Sequence, residues 1–290
     1  MLLQDTPTIE YKVGDRIIFV KREDLAVLKP VGLPPFLFPP PFAKVRGLYK
    51  VLLRVKDSPI PAVSYMDTSI SMASWGISFF CYYLDLKAVV YFPRYKDGLR
   101  HETERHIKFC EGFGAEVRFL EMPNRQQINF YRARKQFMKD YPDGVMLPQG
   151  LPFDETVTEV EGQVMLLPEN VLGGSLVISV GSGTMIAGVL KGLKKRRVLS
   201  QNVYGVLVAP KNILKKKKFV YSKAGVVDVG LFCDKLEKVN FIDAGYEYVQ
   251  REECDVPFPC NSYYDRKAWQ WLMNNIEKLK EPILFWNIGG

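Results

Sequence analysis

The sequence predicts an α/β protein built from mostly parallel sheets with helices on both faces. Three observations carry that expectation. Short apolar runs alternate regularly with amphipathic or small-residue-rich stretches, the rhythm of strand–helix–strand units. One such run, beginning at 174, passes through a pair of closely spaced glycines straight into a helical pattern. The chain has 290 residues, 47% of them hydrophobic, enough for one large or two medium cores of ordinary composition.

In chain order, DRIIFVKRED (15–24) reads as a strand with charges following it. PVGLPPFLFPP (30–40) suits an extended, aromatic-decorated loop, and GLYKVLLRVKD (47–57) reads as a helix, with Lys44 at its start. PAVSYM (61–66) is a short buried strand, SISMASWGISFFCYYLD (69–85) a buried helix and KAVVYFP (87–93) a strand. GLRHETERHIKFCEGFGA (98–115) is an amphipathic helix stopped by Gly112 and Gly114. EVRFLEM (116–122), RQQINFYRARKQFMKDY (125–141) and GVMLPQG (144–150) continue as strand, helix and short strand. A helix covers 155–166, with Thr156 and Thr158 near its start; GSLVISVGSGTMIAGVLKGLKK (174–195) is strand, glycine turn and helix. NVYGVLVAP (202–210) is a strand, NSYYDRKAWQWLMNNIEKL (261–279) a helix with an aromatic face, and PILFWNIGG (282–290) a strand running into Gly-Gly. The unit 58–148 reads as a small α/β subdomain inserted in a larger one made of 1–57 and 149–290.

Composition narrows the chemistry. The five cysteines, Cys81, Cys110, Cys233, Cys254 and Cys260, are odd in number and lack a CxxC spacing. They argue for a reducing compartment and against structural zinc. The two histidines, His101 and His106, fall on different sides of a helix, against a histidine metal site or a serine–histidine triad. No apolar run reaches the ~18 residues of a membrane span, and the N-terminal stretch has no secretory pattern; the expectation is a cytoplasmic protein. Lysine, tyrosine, carboxylate or a cofactor must then carry any catalysis. Much of the net charge of +8 lies in Lys194, Lys195, Arg196 and Arg197 and in Lys215, Lys216, Lys217 and Lys218. Such blocks suit either a solvated loop and helix end or attraction for a polyanion such as DNA.

Two local patterns point to a site. In SVGSGTMIAG (179–188) an apolar strand ends at Val180, Gly181 and Gly183 permit a tight turn, and a helix begins at once. Outward N–H groups, the helix N-terminus and the hydroxyls of Ser182 and Thr184 make a phosphate or carboxylate cradle; an ordinary tight strand–helix turn has the same outline. It is not a Walker A loop, for no Gly-Lys-Ser/Thr follows, and Ile186 stands where GxGxxG needs its third glycine. The second pattern is Lys44, at a helix start behind a stiff wall of Pro and Phe. A dry setting and the positive helix end disfavour its ammonium, and a neutral amine forms a Schiff base with an aldehyde. An aldehyde and a phosphate on one molecule suggest pyridoxal phosphate.

The chain resembles the tryptophan-synthase-like, fold type II pyridoxal-phosphate enzymes, nearest to the 1-aminocyclopropane-1-carboxylate deaminase, D-cysteine desulfhydrase and threonine dehydratase branches. FVKREDL (19–25), FAKVRGLYKVL (42–52), GFGAEVRFL (112–120), GSGTMIAGVLKGL (181–193), YYDRKAWQWL (263–272) and ILFWNIGG (283–290) carry the resemblance, in order, over nearly the whole chain. It implies two three-layer αβα domains with mostly parallel sheets. It implies that Lys44 holds the cofactor as a Schiff base and moves the α-proton, and that Gly181, Ser182, Gly183 and Thr184 hold the phosphate. It places Asp265 against the pyridine nitrogen, Tyr264 beside the substrate and Ser71 near the substrate carboxylate. A surface acid, a packed aromatic and an N-cap are the plainer roles of these three side chains. A homodimer is the family's ordinary assembly.

The chain also departs from that pattern. Met72 stands where an asparagine often bonds the cofactor's 3′-oxygen, Phe42-Ala43 replaces Gly-Asn before the lysine, and Thr184 stands where a third glycine is common. These departures point away from a housekeeping deaminase and toward a rebuilt substrate side. The function expected is pyridoxal-phosphate chemistry at Cα or Cβ of an amino acid: deamination, elimination or decarboxylation. One alternative is a bacteriophage enzyme that tailors, for example by decarboxylation, an amino acid attached to a modified DNA base. A further alternative is a non-catalytic nucleic-acid-binding relative.

Overall fold

The computed structural model describes residues 2–68, 70–94, 98–121, 125–198, 201–209, 213–225 and 239–290. Among the described residues ten strands form two sheets. The larger takes β1 (Thr8–Val13), β2 (Arg16–Arg22), β10 (Ile283–Asn287), β7 (Ser175–Val180), β8 (Asn202–Leu207) and β9 (Val239–Asp243), adjacent in that order. Only the β1–β2 pair is antiparallel, turning at Gly14 with φ +60°; the other pairings are parallel. The smaller sheet is wholly parallel, in the order β5 (Glu116–Leu120), β4 (Ala88–Pro93), β3 (Val63–Met66) and β6 (Val145–Met146).

Both sheets are buried on both faces, which is why their central strands read as continuous apolar runs. In β7, Leu176, Ile178 and Val180 join a core with Val157, Val160 and Val164 of α5 (Asp154–Met165) and with α6 (Thr184–Lys195). Val177 faces the other way, into a core with Ala268, Trp269 and Leu272 of α8 (Asp265–Asn275). Strand β10 alternates likewise, Leu284 and Trp286 against Ile283 and Phe285. In the small sheet Val63, Tyr65, Val90 and Phe92 pack under α1 (Val45–Lys56), α2 (Ala73–Leu84) and α3 (His101–Gly112). Met66, Val89 and Tyr91 pack under α4 (Gln126–Asp140). The fold class is as expected, α/β with mostly parallel sheets.

Several boundaries differ from the sequence reading. The helix expected over 69–85 begins at Ala73, because Ser71 Oγ takes the Ala73 N–H (3.0 Å) and the buried Asp67 carboxylate takes that of Ser74 (3.0 Å). The helix expected over 261–279 is α8 followed by a 3-10 turn at Ile276–Lys278. Strands β1 and β9 and helix α7 (Ile213–Lys223) were not anticipated. Ser69, Met122 and Pro210, at the ends of expected elements, and Cys233 lie outside the described residues. Among the described residues no helix is long and apolar enough to cross a membrane, and no group of acidic, cysteine and histidine side chains could hold a metal ion.

Candidate active site

A cavity of about 260 Å3 opens at the carboxyl ends of strands from both sheets. Its walls include Thr68 just beyond β3, Gln149 and Gly150 beyond β6, Gly181–Gly183 beyond β7, Val208 beyond β8, and Ile288 and Gly289 beyond β10. Ligands of parallel α/β sheets settle at such ends because the connecting loops and helix N-termini converge there.

The chain before Lys44 runs beside the one after β10. Ala43 N–H donates to Ile288 O (2.9 Å), Gly290 N–H donates to Pro41 O (3.0 Å), and Phe42 bridges Gly289. That pairing sets Lys44 at the N-cap of α1. Its Nζ donates to Gly150 O (2.6 Å) and Ser182 Oγ (3.0 Å). Burial, then the nearby charge of Lys216, lower its pKa to about 8. The expected cause needs correction. Of the proline–phenylalanine stretch only Phe42 lines the cavity. Phe36 is exposed, while Phe38 stacks edge-on to Phe109 and its carbonyl accepts from Trp75 Nε1. The wall covers α2 and α3; both sheets' loops, not the prolines, keep Lys44 dry.

Helix α1 is fixed from below. Arg46 Nε reaches the fully buried Glu23 (3.1 Å), which also accepts from Thr6 Oγ1 (2.5 Å). Arg22 pairs with Asp24 through two bonds, and Asn287 Nδ2 donates to the same carboxylate (2.9 Å). The charged turn KRED is thus a buried ionic cluster joining β2, α1 and β10. Gly47 is required where α1 crosses α5: a Cβ there would stand 2.6 Å from Thr156 Cα.

The glycine turn has the geometry of an anion cradle. Gly183 adopts φ +97°, a region open mainly to glycine, and caps α6. Ser182 Oγ lies 3.0 Å from Thr184 Oγ1 and accepts the Thr184 N–H (3.3 Å). Lys216 of α7 donates to Gly181 O (2.6 Å) and Ser182 O (3.1 Å) and lines the cavity. From the sequence, Lys216 belongs to a basic block suited either to a solvated helix end or to a polyanion. The signal that could have separated it is its spacing: Lys216 and the buried Val220 are four apart and share a helix face.

Asp265 is fully buried, not a surface acid. Its Oδ1 accepts from Ser179 Oγ (2.8 Å) and Ile288 N–H (3.3 Å), while Oδ2 has no protein partner. Burial lifts its pKa to about 8. The preceding Tyr264 stands against Gly181, and its hydroxyl lies 3.2 Å from Tyr248 Oη, which lies 3.0 Å from Thr68 Oγ1. Lys267 holds the Tyr248 loop in place by donating to Glu247 O (2.7 Å). Ser71 Oγ accepts the Ala73 N–H at the start of α2, and Ser71 lines the cavity beside Met72. Tyr65, Thr68, Gln149, Tyr248 and Asn261 also line it and were not singled out from sequence.

Most of the other basic residues have structural work. Lys195 pairs with Glu161 (2.7 Å), and Arg196 binds Glu169 and the carbonyls of Val164 and Leu167. Lys194 donates to Gly225 O (3.0 Å), and Lys217 lies over the Phe241 ring. Lys194, Arg197, Lys215 and Lys218 are exposed.

These residues fit pyridoxal phosphate. A buried amine would suit the aldehyde, a glycine turn at a helix N-terminus would suit the phosphate, and a buried carboxyl oxygen without a protein partner would suit the ring nitrogen.

No family model matches the chain. Over 297 aligned residues, covering the whole of both proteins, it is 33% identical to a glycyl-dTMP PLP-dependent decarboxylase of Pseudomonas phage M6. Among solved structures it is similar to a homologue of ACC deaminase (TM-score 0.73, 18% identity, covering 99% of this chain and 90% of that one). It is also similar to an L-serine ammonia-lyase of Rhizomucor miehei (TM-score 0.66, 14% identity, 100% and 94% covered). Threonine deaminase isoform 2 of Solanum lycopersicum shares the fold as well (TM-score 0.62, 14% identity, 100% and 84% covered).

Proposed function

The chain belongs to the fold type II pyridoxal-phosphate-dependent enzymes, and from that premise we propose that it decarboxylates an amino acid carried on a thymidine nucleotide. That it is an enzyme using pyridoxal phosphate on an amino-acid group follows from the family. The decarboxylase reading rests on one observation, the end-to-end 33% identity with the phage glycyl-dTMP enzyme. For its amine to be captured and its carboxylate to leave, the glycyl group must be joined to the base through Cα, with both the amine and the carboxylate free.

The cavity supports this reading. Its charged lining residues among those described are Lys44, Lys216 and Asp265. A substrate carboxylate held on the Ser71 side of the cavity would meet neutral donors, Thr68, Ser71 and Gln149, and the apolar Phe42, Met72 and Leu151. Burying a carboxylate without a counter-charge costs several kcal/mol, on the order of that for other unpaired buried ions, and departure of CO2 removes that charge.

Pyridoxal phosphate supplies an aldehyde that captures the amine and a protonated ring that takes up the electron pair left at Cα. Lys44 provides the amine that holds it and, once displaced, the proton that Cα needs after CO2 leaves. Asp265, its pKa lifted to about 8 by burial, would face the ring nitrogen with Oδ2 and hold a proton there. Gly181, Ser182, Gly183 and Thr184 bind the phosphate. Tyr264 and Ser71 border the substrate and exclude water.

The purified enzyme incubated with glycyl-dTMP is expected to release one CO2 per nucleotide and leave an amine on the base. Release of ammonia or a keto acid from free amino acids, with the nucleotide untouched, would refute it. The exposed Lys194, Arg197, Lys215 and Lys218 suit contact with a DNA-borne form of the substrate. Binding to glycylated DNA that does not weaken with salt would exclude that contact.

A further inference from the structure

Of the described residues that line the cavity, Lys44 and Lys216 carry the positive charge. Lys44 is committed to the aldehyde. The turn 181–184 offers a phosphate backbone N–H groups, two hydroxyls and the partial charge of a helix end, but no full charge. Lys216 supplies one. Its Nζ holds the carbonyls of Gly181 and Ser182, and its Cδ lies 3.3 Å from where a Cβ on Gly183 would stand. The placement is built into the packing. Phe219 and the fully buried Val220 close on the same glycine, so α7 is docked against the turn. Lys215 and Lys218, from the same run, are exposed.

We propose that Lys216 is the counter-charge of the cofactor's phosphate, a positioning residue that pins the turn through its carbonyls and balances the anion bound at its N–H groups. This separates Lys216 from the polyanion contact to which its neighbours are suited. It also couples the two lysines. Lys216 disfavours the Lys44 ammonium, and a bound phosphate offsets that repulsion.

The test uses the full-length enzyme stripped of cofactor and titrated with pyridoxal phosphate and with pyridoxal, which lacks the phosphate. In Lys216→Met the affinity for pyridoxal phosphate should fall at least about tenfold, the scale of a charge-assisted hydrogen bond, with a much smaller loss for pyridoxal. Inorganic phosphate should compete with the cofactor in the wild type and less well in the variant. Lys216→Arg should keep most of the affinity. Lys216→Gln, which can still bond the two carbonyls, should show the same selective loss and so separates charge from support of the turn. Equal losses for both ligands would assign Lys216 a purely structural role and overturn the proposal. Unchanged cofactor affinity with weakened DNA binding would return Lys216 to the DNA contact and overturn it too. None of these readouts depends on which substrate the enzyme uses.

Discussion

Lys44 is an amine held at the junction of two loops, with a carbonyl and a hydroxyl as acceptors and another lysine nearby. Lysine attacks a carbonyl only as the free amine, and burial has brought its pKa from 10.5 to about 8. Capture of pyridoxal phosphate by the cofactor-free enzyme should therefore accelerate as pH rises through about 8 and level off above it. Stopped-flow growth of the visible absorption band would show this; a rate still climbing at pH 10, near the ordinary lysine value, would contradict it. Lys44→Ala should abolish the band and leave borohydride nothing to trap, with folding retained. Asp265 carries the second residue-scale prediction. Asp265→Asn keeps the shape but not the acid, and should lower kcat by about a hundredfold, the scale of one acid–base group, while the band persists. An unchanged kcat would remove Asp265 from the ring nitrogen.

At the scale of elements, the site depends on close approaches that glycine permits. Gly47→Ala would drive a methyl group into the Thr156 backbone at the crossing of α1 and α5. Overpacking of this kind costs about 1–3 kcal/mol, readable as a lowered denaturation midpoint, and because α1 starts at Lys44 cofactor affinity should fall with it. Strands β3, β4, β7, β8 and β10 were legible because strands buried on both faces read as apolar runs, and the glycine turn because a strand led straight into a helix. Helix α7 was hidden because four consecutive lysines mask its apolar face, borne by Phe219 and Val220. With α7 hidden, Lys216 could not be told from its neighbours. The proline stretch misled for the opposite reason. Its stiffness was plain, but not the surface it covers, which is set by Trp75 and Phe109 far along the chain.

Over the whole molecule, the cavity stays formed only if the loops of both sheets hold together, and the buried KRED cluster is where their supports meet. Glu23 takes bonds from Thr6, ahead of β1, and from Arg46 of α1, with Lys21 of β2 at 4.0 Å. Asp24 is bonded to Asn287 at the end of β10, one residue before the Ile288 that bonds Ala43 and Asp265. Glu23→Ala would leave Arg46 and Lys21 buried without their counter-ion, and such a loss destabilises by about 3–5 kcal/mol. Urea denaturation should show that drop in the cofactor-free enzyme. Saturating pyridoxal phosphate raises stability by an amount that depends only on ligand concentration and Kd. If the cluster supports the fold as a whole, the cofactor should add the same increment to the wild type and to Glu23→Ala. If it specifically aims α1 and Lys44, the increment should shrink in the variant as Kd rises. The Arg46–Glu23 bond, two residues from Lys44, favours the second outcome, and an undiminished increment would limit the cluster to general stability.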